Sequence, residues 1–84
     1  MDNLDRIQEK ILLLLATTPL STEKIATTVF IDEPLAEFHI AELAEQEYIT
    51  SLFDAFSSVS DAPDMVWIIE QKGRKYLLDR GLLK

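Results

Sequence analysis

Apolar side chains return at Leu4, Ile7, Ile11, Leu14 and Leu15, the spacing of one helix face, and no glycine or proline interrupts before Pro19. The pattern predicts an amphipathic helix from about Asn3 to Thr17. Its second half is apolar on more than one face, because Leu12 and Leu13 lie off that stripe, so neighbouring elements or a second copy must cover them. After the break TTP, Ser21 or Thr22 can cap a short helix through TEKIATTV with Ile25, Ala26 and Val29 inward. A turn, FIDE, follows. Asp32 then suits an N-cap and Glu33 and Pro34 a first turn, which predicts a third helix to about Gln46 with Ala36, Ile40, Leu43 and Ala44 toward the core.

The period then changes. YITSLFDAF and MVWII are rich in β-branched and aromatic residues, and SSVSDAPD between them is turn chemistry, so a hairpin is expected. Trp67 and Ile69 alternate with Ile68 and take its inner face. From Lys72, the positions Tyr76, Leu77 and Leu78 predict a last helix that stops at Gly81. The order is helix, helix, helix, hairpin, helix: a mainly α fold with a small β-hairpin, read as one domain over residues 1–84.

Composition narrows the picture. The 84 residues, 48% apolar and 27% charged, suit one small globular core, and with no cysteine neither a disulfide nor a thiolate metal site can hold it together. The longest apolar run, ILLLLA, is far short of the roughly 20 residues of a membrane span. The opening MDNLDRIQEK lacks the basic start of a signal peptide, so the expected location is the cytoplasm. Net charge is −7, unevenly spread. Between Lys24 and Lys72 there is no Lys or Arg, while ten Asp or Glu fall in that interval; five of the eight bases crowd into KGRKYLLDRGLLK.

The stretch LSTEKIATTVFIDEPLAEFHIAELAEQEYI, with WIIEQKGRKYL after it, resembles the winged helix-turn-helix family of prokaryotic transcription regulators. The resemblance implies a helix before a helix-turn-helix, a two-stranded wing after it, and often a homodimer through the first and last helices. On this reading Leu12, Leu13, Leu82 and Leu83 are the dimer contacts; a monomer with an over-apolar first helix is the alternative. The chain departs from the family where glycines are usual, with Phe30 in the turn between the helices and Glu47 just after the recognition helix. Left-handed turns are harder to form there.

The departure in charge matters more. The face expected to meet DNA offers Glu33, Pro34, Leu35, Glu37, Phe38, Ala41, Glu42 and Glu45, and the wing tip is SDAPD. A DNA reader draws much of its affinity from cations that replace phosphate counterions, about six to ten contacts in typical cases. Here the third helix and wing supply none. The sequence therefore points first to a non-enzymatic binding protein whose Leu35 and Phe38 anchor a protein partner, with Glu37, Glu42 and Glu45 selecting a basic surface, such as that of a nucleic-acid-binding protein. The alternative is a dimeric regulator of double-stranded DNA, with Lys72, Arg74 and Lys75 on the phosphate backbone. Catalysis has no support: His39, the one histidine, has no nucleophile, metal-type spacing or phosphate loop beside it and reads as a partly exposed helix residue, so no cofactor or metal is expected.

Overall fold

The computed structural model describes residues 4–53 and 65–83. They form helices α1 (Arg6–Thr17), α2 (Thr22–Val29) and α3 (Glu33–Glu45), strands β1 (Ile49–Phe53) and β2 (Met65–Ile69), and helix α4 (Gln71–Asp79). The expected order is present. Helix α1 starts at Arg6 rather than Asn3, because Gln8 turns its side chain back to accept the Asp5 amide proton at 3.3 Å. Ser21, not Thr22, caps α2, taking the Lys24 amide at 3.3 Å. The Thr22 hydroxyl serves another purpose: it accepts the indole N–H of Trp67 at 3.0 Å. The expected loop SSVSDAPD, with Asp54 to Phe56 before it, lies outside the described residues.

The strands are antiparallel, with Ile49 opposite Ile69 and Ser51 opposite Trp67. Leu20 adds a bridge that the periodicity does not reveal, since one residue has no period. Trp67 N–H donates to the Leu20 carbonyl at 2.7 Å, and the Leu20 amide returns a bond at 3.3 Å. This stitches the α1–α2 connection to the outer side of β2.

The core is assembled from every element: Ile11, Leu12 and Leu15 of α1, Ile25 and Ala26 of α2, Ala36, Ile40 and Leu43 of α3, Ile49 and Ile69 of the hairpin, and Leu77 of α4. Leu12 is fully buried within this chain, so of the two covers expected for it, neighbouring elements or a second copy, the neighbours of α1 supply it and leave none of its surface for a dimer contact. Leu78 is the opposite case, exposed although its spacing suggests an inward position. Among the described residues, no helix is long and apolar enough to cross a membrane.

Three helices close in the same way. After α2 the amides of Phe30 and Ile31 bond the carbonyls of Thr27 and Ala26; after α3 those of Glu47 and Tyr48 bond Ala44 and Leu43; after α4 those of Gly81 and Leu82 bond Leu78 and Leu77. Each pair requires a left-handed residue at the turn. Glycine supplies it only at Gly81 (φ 73°); Phe30 (φ 61°) and Glu47 (φ 69°) adopt the same conformation against their Cβ sterics. The turns that glycine would ease are thus formed without it.

Helix α4 is locked in two places. A Cβ on Gly73 would stand 2.6 Å from the Tyr48 carbonyl oxygen and 2.8 Å from Ile69 Cγ1, so only glycine lets α4 come this close to the hairpin. Tyr76 joins α4 to α1: its hydroxyl accepts the Leu4 amide at 3.0 Å and donates to Glu9 Oε2 at 2.6 Å, while Arg80 approaches the same Glu9 oxygen at 3.4 Å. Burial, and next the bond to Glu9, raise the Tyr76 pKa above the ordinary phenol value.

Two outcomes follow. Gly73→Ala gains helix propensity but meets backbone that cannot yield, and should lower stability by about 1–3 kcal/mol, read from the urea midpoint. Tyr76→Phe should lose about 1.5–3 kcal/mol, as expected for a hydrogen bond to a charged group. Because the fold favours the protonated phenol, Tyr76 contributes fully below the unfolded-state value of about 10 and its contribution fades as pH rises through the higher folded value. The alkaline fall in stability should therefore be shallower in Tyr76→Phe than in the parent chain.

Candidate functional site

Helix α3 turns Ala36, His39, Ile40 and Leu43 inward and leaves Pro34, Leu35, Glu37, Phe38, Ala41 and Glu45 exposed, with Glu42 half-buried. The outward arc is the one expected from its spacing. Leu35 is 42% exposed and Phe38 58%, so neither belongs to the core. The helix carries Glu33, Glu37, Glu42 and Glu45 and no Lys or Arg. Its first turn has Pro34, and the side chain of the N-cap Asp32 makes no capping bond. The free backbone amides of that turn give the acidic face a small positive pole at its N-terminal end.

His39 departs from the expected partly exposed state: it is buried on the flank of α3 that meets α1. Gln8 Nε2 lies 3.2 Å from His39 Nδ1. Since Gln8 Oε1 already accepts the Asp5 amide proton, its Nε2 is the donor and His39 Nδ1 the acceptor. The pair ties the start of α1 to the middle of α3. Sequence reasoning missed it because the partners are 31 residues apart. Among the described residues, no group of three or more His, Asp or Glu side chains is arranged to hold a metal ion.

The basic segment divides. Lys72 donates from Nζ to the Gln46 carbonyl at 2.8 Å and stands 4.6 Å over the Tyr48 ring, so it caps the C-terminal end of α3, where the helix dipole welcomes a cation. This places it, still exposed, at the far end of α3 from the Asp32–Leu35 turn. Arg74 and Lys75 are exposed; Lys75 shares a shallow depression with Tyr48, Lys72, Tyr76 and Asp79. Of the expected dimer residues, Leu13 and Leu83 are partly buried against the core and Leu82 is 39% exposed. A notch of mixed character that sequence reasoning did not single out lies between the start of α2 and the start of β2, with Ser21, Thr22, Glu23 and Lys24 on one side and Met65 and Val66 on the other.

No protein-family model and no curated protein matches the sequence. Solved structures do. The zinc-responsive MarR family member ZitR of Lactococcus lactis is 22% identical, with a TM-score of 0.79 over 95% of this chain and 53% of its own. ZitR in complex with DNA is 25% identical, with a TM-score of 0.75 over 95% and 52%. The adhesin competence repressor of Streptococcus pyogenes is 19% identical, with a TM-score of 0.80 over 94% and 55%. The chain thus spans about half the length of the structures it matches. With three helices, a two-stranded antiparallel wing, a closing helix and these neighbours, the chain is a winged helix-turn-helix domain.

Proposed function

We propose that the chain acts as a DNA-binding module of a transcription regulator, with α3 entering the major groove of a duplex. The observation that carries this reading is the likeness to ZitR in complex with DNA, which extends over nearly the whole chain. The first reading from sequence, a binding protein that acts mainly through protein–protein contacts, has no such support. A fold is not a function, and the chemistry of α3 sets how such binding would work. Leu35, Phe38 and Ala41 suit thymine methyl groups, Glu can accept from cytosine N4, and the first-turn amides can meet one phosphate. With no Lys or Arg from Ile25 to Gln71 and Lys72 held on α3's own C-terminus, few phosphates can be neutralised. Binding of this kind is weak and depends on base contacts more than on charge.

A second reading rests on one observation: Leu35 and Phe38 are exposed side by side with Glu37, Glu42 and Glu45 around them. That is an apolar strip with an acidic margin, suited to a basic protein surface such as the cationic site of another nucleic-acid-binding protein. Titration of labelled duplexes at a series of salt concentrations separates the two. The regulator reading expects saturable binding at low salt, with a slope of log K against log salt no steeper than about −3, against about −5 to −9 for readers with six to ten phosphate contacts. Absence of duplex binding at the lowest salt would overturn it and leave the acidic face to a protein.

A further inference from the structure

The most exposed large apolar side chain of the described residues is Phe30, at 91%, and it sits on a left-handed backbone. Both features work against the folded chain: a bulky side chain at positive φ costs about 1–2 kcal/mol relative to a residue free of the clash, and an aromatic ring in water forgoes its burial. Glycine would serve the turn better. Such an outlier points to a contact outside the fold.

The surroundings of Phe30 show what that contact is. Beside the ring runs an open groove of about 310 Å³ between the outer face of α1 and the end of α2, lined by Lys10, Leu13, Leu14, Thr28, Val29 and Phe30. Knob and hollow therefore share one surface, the arrangement a two-fold contact between identical surfaces needs. Charge agrees. On a chain of net charge −7 this groove has no carboxylate in its lining and one cation, Lys10, while the knob is followed two residues later by the exposed carboxylate of Asp32. We infer that the α1–α2 groove is a self-association surface: Phe30 of each copy seats in the Leu13–Leu14–Val29 hollow of the other, and Asp32 of each faces the partner copy's Lys10.

This differs from the contact through the first and last helices that the family resemblance suggests. Leu13 belongs to both, while the buried Leu12, and Leu82 and Leu83, lie outside the groove. With the outward face of α3 it shares one residue, the N-cap Asp32. Sedimentation velocity of the whole chain over a concentration series tests it, with Phe30→Gly as the decisive variant. That substitution removes the knob and relieves the backbone, so the variant should denature at higher urea under conditions where both chains are monomeric, yet its dimer dissociation constant should rise at least about thirtyfold. Loss of association together with a gain in stability cannot come from misfolding. Lys10→Glu should weaken the dimer as well, and the double variant Lys10→Glu with Asp32→Lys should recover it. A parent chain that stays monomeric at every concentration, or a Phe30→Gly chain that associates as before, would overturn the inference.

Discussion

The arrangement of this domain depends on the backbone of Tyr48. Its amide donates to the Leu43 carbonyl at 2.9 Å and closes α3; its carbonyl accepts the Glu70 amide at 2.8 Å where β2 gives way to α4; and Gly73 packs against that same oxygen. Its ring meets the edge of Tyr76 at 5.8 Å and carries the Lys72 ammonium, which returns to Gln46 at the end of α3. One residue thus fixes α3, the wing and α4 relative to each other. A buried carbonyl without a partner is expensive, so the Glu70 amide on the Tyr48 oxygen holds the start of α4 against the end of α3.

Two further ties brace the domain, one of them on α3 itself. Gln8 links His39 to the start of α1, and the Leu20–Trp67 bridge links the base of the wing to the connection before α2. The consequence for function is that α3 is presented rigidly, with its outward arc free of packing. What that arc offers is unusual for the fold: carboxylates and apolar groups instead of cations. Lys72, the cation that reaches α3, serves that helix's own C-terminus. On the DNA-binding reading proposed above, α3 itself offers a duplex helix-end amides and contacts to base edges, which makes selectivity rather than electrostatic attraction its main term.

Much of this was legible in the sequence, and for a physical reason. The apolar period of α1, α2 and α3 and the breaks at Pro19 and Asp32 are local features, and the buried residues Ile11, Ile25, Ile40 and Leu43 fall where the period puts them. The exposure of Leu35 and Phe38 and the negative sign of their surroundings also follow from spacing and residue type. What sequence could not give is set by partners distant in the chain. Leu12 looks surplus to a helix face until the other elements close over it. His39 looks like a surface residue until Gln8 reaches it. Phe30 and Glu47 argue against left-handed turns, yet paired backbone hydrogen bonds impose them. The KGR motif carries the resemblance, but only the distance from Gly73 to the Tyr48 carbonyl says why glycine is there.

The central claim is that α3 presents its N-terminal turn and outer arc to the double helix. Backbone amide shifts of isotope-labelled protein, followed while duplex DNA is added at low salt, test it most directly. The account predicts that the largest changes run from Asp32 to Ala41, with smaller ones near Ser21 to Lys24. Changes confined to α4 around Arg74 and Lys75, with α3 silent, would contradict it.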